Sequence, residues 1–211
     1  MVTSSTKTSP SGKLLWGLHS RMYRLSRRAR LGEARQSLLI MKYQQVNINT
    51  LLGAEWCFFT SNEGVKANGE NVMGRGTAAE VRARFPEVAA RYGSFLRSGD
   101  RGIWTSTTLK VGAFPVKPSL VVVNRDKSNI VPHMRSRVTP GSLQQGWMSM
   151  GSYDLIRKSW NQLVDMAESD CFGNRPIYLP NPGTGNAGLD GKKVNGILNE
   201  RPCSHIIIIH L

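Results

Sequence analysis

The spacing of apolar residues along this chain changes several times, and each change marks a different element. "KYQQVNI" (residues 42–48) alternates apolar and polar positions with a period of two, the pattern of a half-buried strand. "AEWCFFTSN" (54–62) is a compact apolar and aromatic run closed by a turn signal, which predicts a strand buried in a parallel sheet. The period then lengthens. Ala78, Val81, Phe85, Val88, Tyr92 and Phe95 lie three or four residues apart, which predicts an amphipathic helix. Pro86 should split that helix in two, since proline lacks the N–H and clashes with the preceding turn.

"TLKVGAFPV" (108–116) and "SLVVVN" (119–124) return to strand character. Residues 118–151 as a whole form a long excursion, polar and Gly/Pro-punctuated from 125 onward. It is expected either to cover a ligand as a lid or to be a disordered insert. Trp147, Met148 and Met150 within it suit local packing or a partner surface. Ser152 is a candidate N-cap for a second helix whose buried stripe is Leu155, Ile156, Trp160, Leu163, Val164 and Ala167. "RPIYLP" is a strand, "LDGKKVNGILNE" a short helix, and "SHIIIIHL" a final buried strand. Strands alternating with helices predict an α/β sheet with helices on both faces, and ligands in such folds sit at the carboxyl ends of the strands.

Two stretches rich in glycine fall at those ends. In "MGRGTAAEV" a loop with Gly74 and Gly76 opens the first helix. The N–H groups near Thr77 and Ala78, with the helix dipole behind them, would make an anion site. "NPGTGNAGLD" carries Gly183, Gly185 and Gly188 after a strand and before a helix. Neither is a GxxxxGK[ST] or a GxGxxG motif. Glycine turns also occur with no ligand; two of them on one rim point to a diphosphate held between them.

Composition narrows the picture. Forty per cent hydrophobic content allows a buried core, and no apolar run approaches the length of a membrane span. Cys57, Cys171 and Cys203 are odd in number and far apart, which argues against a disulfide framework or zinc site and for a reducing, cytoplasmic setting. No metal or cofactor is expected. The net charge of +14 is uneven: residues 1–42 hold nine Lys/Arg against the single acid Glu33, and the rest holds nineteen bases against thirteen acids. Residues 1–40 therefore read as a basic extension to a folded unit at 41–211. Its apolar positions Leu14, Leu15, Leu18, Met22 and Leu25 have roughly helical spacing among arginines. A nucleic-acid arm at 13–35, a membrane-surface helix, a transit-like segment, an unstructured tail, and sequence upstream of a start at Met41 all remain open.

From Met41 onward the chain resembles the macro domain, an ADP-ribose-binding module. The likeness is to its compact bacterial and phage members and to the branch containing the terminal ADP-ribose protein glycohydrolase. It is carried by "FFTSN", "GENVMGRGTAAEVRARFP", "FPVK", "SYDLIRKSWNQL" and "YLPNPGTGNAGLDGKKV", about four-fifths of the chain. The resemblance implies a monomeric three-layer α/β/α sandwich around a mixed sheet, with ADP-ribose or an ADP-ribosylated substrate as its partner. It implies that Asn47 and Ile48 face adenine, with Asn47 standing where the family has an acid. Asn62 would face the distal ribose, or else simply form a turn. Gly74, Arg75, Gly76, Thr77 and Ala78 would make the first phosphate loop, with Arg75 adding charge or pointing to solvent. Gly183, Thr184, Gly185, Asn186, Ala187 and Gly188 would make the second.

For catalysis the glycohydrolase branch implies a nucleophilic lysine at Lys117, which otherwise is a solvated strand-end lysine. The branch's aspartate position is Ala187 here; Asp190 lies three residues further on, where the dipole of the following helix alone explains an acid. Activity is thus an open expectation beside binding, as is hydrolysis of an ADP-ribose conjugate by an activated water. His133 and His205 match no site of the family.

Overall fold

The computed structural model describes residues 41–210, so the expectations for the basic extension and for Leu211 lie outside the described residues. Among the described residues, eight strands and four α-helices follow one another: β1 (Lys42–Gln45), β2 (Trp56–Asn62), α1 (Gly76–Arg84), α2 (Glu87–Arg97), β3 (Trp104–Ser106), β4 (Val111–Lys117), β5 (Leu120–Val122), β6 (Leu143–Gln145), α3 (Tyr153–Glu168), β7 (Ile177–Pro180), α4 (Gly191–Asn199) and β8 (Ile206–His210). Six strands form one sheet in the order β1-β8-β7-β2-β4-β3. Every neighbouring pair is parallel except β3 with β4, so the sheet is mixed.

The pleat sorts the core into two layers. Successive side chains of a strand point to opposite faces. Ile206 and Ile208 accordingly join Phe58, Trp160, Leu163 and Val194 on one face, under α3 and α4. Ile207 and Ile209 join Phe59, Val81, Val88 and Tyr92 on the other, under α1 and α2. The unbroken isoleucine run of β8 is thus what a strand covered on both faces requires. The result is the three-layer α/β/α sandwich expected from the sequence.

Local signals place the helix ends. Ser152 accepts a hydrogen bond from Leu155 N–H at 3.2 Å and starts α3; Asp190 accepts one from Lys193 N–H at 3.0 Å and starts α4. Pro86 separates α1 from α2. Leu155, expected in the buried stripe of α3, is only half-buried, while Ile156, Trp160, Leu163, Val164 and Ala167 are fully covered.

Three expectations are revised. The alternation at 42–48 does not bury one face of β1: all four of its residues are exposed, because it pairs only with β8 at the edge of the sheet. Of its side chains, Tyr43 lies stacked on His210, with ring centroids 5.7 Å apart. β3, three residues long, gave no readable period. "SLVVVN" does form a strand, but β5 leaves the main sheet and pairs antiparallel with β6, with Leu120 opposite Gln145. This ribbon belongs to an excursion with its own small core of Val123, Ile130, Val131, Met134 and Val138, against which Trp147, Met148 and Met150 pack. The segment is therefore a built part of the fold, because its scattered apolar residues meet one another once the ribbon closes.

Candidate functional site

Four parallel strands present their carboxyl ends side by side, β8, β7, β2 and β4 in that order. A cavity of about 830 Å³ runs along them, within the usual range for a small-molecule site. Ile209 and His210 line it at the end of β8, Pro180 and Asn181 at β7, Thr60 to Asn62 at β2, and Val116 and Lys117 at β4.

The two glycine-bearing loops both reach this cavity. Gly74, Arg75, Gly76, Thr77 and Ala78 line it from one side; Gly183, Thr184, Gly185, Asn186 and Ala187 line it from the other. They meet: a Cβ placed on Gly76 would lie 3.2 Å from Asn186 Nδ2. Gly76 also has φ +57°, a left-handed conformation that side chains rarely adopt. Among the described residues, none of the amides of 74–78 or of 183–187 donates to a backbone carbonyl. Arg75 caps α1 without a side-chain hydrogen bond, so the first turn of that helix keeps its donors free as well. Two runs of unspent N–H groups, one of them backed by a helix dipole, are suited to an anion.

The charges around the cavity agree. Arg75, Lys117, His133, Arg137 and His210 line it, and among the described residues no aspartate or glutamate does. Lys117 is buried, with 9% of its surface exposed. Its Nζ donates to Trp147 O and to Asn186 O, each at 3.2 Å. Burial, and then the positive charge of Arg75, pull its pKa down to about 8. A solvated strand-end lysine it is not. Glu63, next to this strand end, is also buried and its pKa is raised by that burial, but it stays outside the lining.

Other residues singled out in the sequence stand as follows. Asn62 lines the cavity, yet its amide is engaged: Nδ2 donates to Val72 O at 2.7 Å and Oδ1 accepts from Gly64 N–H at 2.9 Å. Asn71, fully buried beside it, donates to Asn62 O and Gly64 O, each at 2.8 Å. Asn47 and Ile48 are not among the lining residues. Asn47 Oδ1 accepts from Asn49 N–H at 3.0 Å and caps the 3-10 turn Ile48–Thr50, while Ile48 is wholly buried in the core. Gly188 lies just behind the wall, at φ +68°, with a Cβ there running into the Met150 side chain. Asp190 is committed to its cap, and its N–H donates to Tyr153 Oη at 3.1 Å.

Sequence reasoning missed part of the wall. His133, Met134, Arg137 and Trp147 all come from the excursion, and His210 from the end of β8. His133 gave no local signal, since it reaches the cavity only because the 3-10 turn Pro132–Arg137 is folded over it. His205 does not line the cavity. Among the described residues there is no cluster of three or more His, Cys, Asp or Glu side chains, and no helix long and apolar enough to cross a membrane. All three cysteines are free.

No protein-family model matches the sequence, and no curated protein matches it. Solved structures do. The macrodomain of Mycobacterium tuberculosis DarG aligns with a TM-score of 0.53 at 16% identity, over 82% of this chain and 98% of that one. The macrodomain of Thermus aquaticus DarG gives the same figures. Thermosipho africanus DarTG in complex with ADP-ribose aligns with a TM-score of 0.50 at 14% identity, over 82% of this chain and 43% of that one. What these structures share with the present chain is the fold, and that fold is the macro domain's.

Proposed function

We propose that this macro-domain fold binds ADP-ribose or a close derivative along the ends of β8, β7, β2 and β4. The diphosphate lies between residues 74–78 and 183–188, held by main-chain amides. The observation that carries the reading is the pairing of the two loops across one cavity, each with a run of unspent N–H groups. An anion there gains hydrogen bonds and a helix dipole while meeting no carboxylate among the described residues. The ADP-ribose recorded with the Thermosipho DarTG structure accords with it. Asn62, at the β2 end, would face the distal ribose once its amide exchanges Gly64 or Val72 for a hydroxyl. With Asn47 capping a turn, the adenine would find Ile209 and His210 as its nearest lining.

Calorimetric titration with ADP-ribose should give a saturable one-to-one isotherm and a ligand-dependent rise in Tm. Neither heat nor stabilisation at millimolar ligand would end the reading.

A second reading adds catalysis, and one observation favours it: Lys117 is buried within reach of the positive charge of Arg75, the setting that makes a lysine amine nucleophilic. Its lone pair would form a C–N bond to the anomeric carbon of the distal ribose while the bond to the acceptor breaks with its electron pair. Water would then release ADP-ribose. Lys117→Ala should abolish release of ADP-ribose from a modified substrate; an unchanged rate removes Lys117 from any chemical role.

A further inference from the structure

The hydrogen bonds of Lys117 go to two carbonyls that belong to different parts of the molecule. Asn186 is in the second loop, 69 residues along the chain; Trp147 is in the return leg of the excursion, 30 residues along. Other contacts join the same two parts. Gly151 N–H donates to Ala187 O at 2.8 Å, and Gly188 faces the Met150 side chain so closely that a Cβ there would lie 2.5 Å from its terminal methyl. The return leg is in turn locked to the outgoing one: Gly146 N–H donates to Ser119 O at 2.8 Å, and Gly146 lies flush against the Pro118 carbonyl. Loop, lysine and excursion therefore form one connected body.

We infer that Lys117 is a positioning residue: its ammonium clasps the second loop to the excursion, and by holding the Asn186 carbonyl it sets the direction of the Ala187 N–H. The N–H of a trans peptide points opposite to the C=O of the same peptide, so fixing one fixes the other. The Trp147 carbonyl sets the Met148 N–H in the same way. The clasp is charge-assisted while the amine is protonated and weakens when it is neutral. Among the described residues no carboxylate lines the cavity to compete for the ammonium; the other charged or titratable groups lining the cavity are Arg75, Arg137, His133 and His210. The lowered pKa of about 8 brings the change within an accessible range. Affinity for an anion at this site is then highest below about pH 8 and falls above it. For the resting protein this assigns Lys117 work that a nucleophile alone would not do.

The clasp itself can be tested without any ligand. In 1H–15N spectra of the full chain between pH 6.5 and 9.5, the Ala187 and Met148 amides should move together through one midpoint near pH 8. Both should be flat over that step in Lys117→Met, a variant of similar length with no charge. Amides that do not move, move with separate midpoints, or keep their step in the variant would overturn the clasp. Since the wild-type titration stands by itself, poor folding of the variant does not blunt the test.

The ligand arm rests on the reading of the cavity as an ADP-ribose site. There, affinity for ADP-ribose should fall about three- to tenfold from pH 7 to pH 9.5 in the wild type, with little change in Lys117→Met. A wild-type affinity flat with pH, beside amides that do titrate, would overturn the link from clasp to affinity. Complete failure of ADP-ribose to bind, with the amide steps present, would sink the proposed function and leave the clasp standing.

Discussion

The loop at 74–78 is held from close by along the chain, whereas the loop at 183–188 is held from far away. Beneath the first, Asn62 and Asn71 tie together residues 62 to 72 through hydrogen bonds that span seven to ten positions, and α1 begins directly after it. The second is caught by Lys117, Gly151 and Met150, all remote in sequence. Both expose the same kind of donor, yet a change under the first loop should stay local. A change at the second should reach the excursion.

Changes that bring a side chain between the loops should act most strongly. Gly76→Val puts a branched side chain at φ +57° and against Asn186. It should reduce ADP-ribose affinity by roughly a hundredfold or more by calorimetry, close to 3 kcal/mol. An affinity within threefold of wild type would mean that the loops need not face each other as described. Next comes the local support. Asn71→Ala removes two buried hydrogen bonds, leaving the Gly64 carbonyl only the longer one from Val72 N–H at 3.3 Å, so urea unfolding should show a loss of about 2 kcal/mol. Amide exchange should rise at 62–72 and not at 183–188; a rise at both would erase the contrast.

A smaller effect follows from the titration of Lys117. Its folded pKa lies near 8 and below the usual 10.5, so between those values the unfolded chain binds the extra proton. The stability contributed by this residue therefore rises with pH, opposite to the proposed trend in affinity. Cys57, whose thiol burial pushes up to about 12, and Cys203, raised for the same reason, act the other way at alkaline pH, so the informative quantity is a difference between variants. From pH 7 to 9 the wild type should gain about 1 kcal/mol relative to Lys117→Met in chemical denaturation. A constant difference would show that Lys117 is not buried as a charge. Smallest is Asp190→Ala, which deletes the cap of α4 directly after the second loop and should cost somewhat under 1 kcal/mol in thermal or urea unfolding. No measurable loss would mean that Asp190 has some task other than capping.

Much of the fold was legible because its signals are local. The isoleucine run of β8, the helical spacing of 78–95 and the cap Ser152 each state their role within a few residues. The loops were legible for the same reason, since glycines between a strand and a helix need no partner to be recognised. Asn47 could be read as a ligand contact only while its Oδ1 had no other use, and in the fold that atom caps a turn two residues away. β1 looked half-buried because period two says that one face differs from the other, but not whether anything covers it.

By itself, then, the sequence settled which segments alternate, where helices begin, and that two bare backbones follow strand ends; backbone propensity and side-chain periodicity act over a handful of bonds. Only the tertiary structure decided that Lys117 is buried between two carbonyls, that His133, Arg137 and Trp147 wall the cavity, and that no acid among the described residues lines it. Those facts depend on contacts tens of residues apart, and on desolvation, which belongs to a place in the folded molecule and to no residue type.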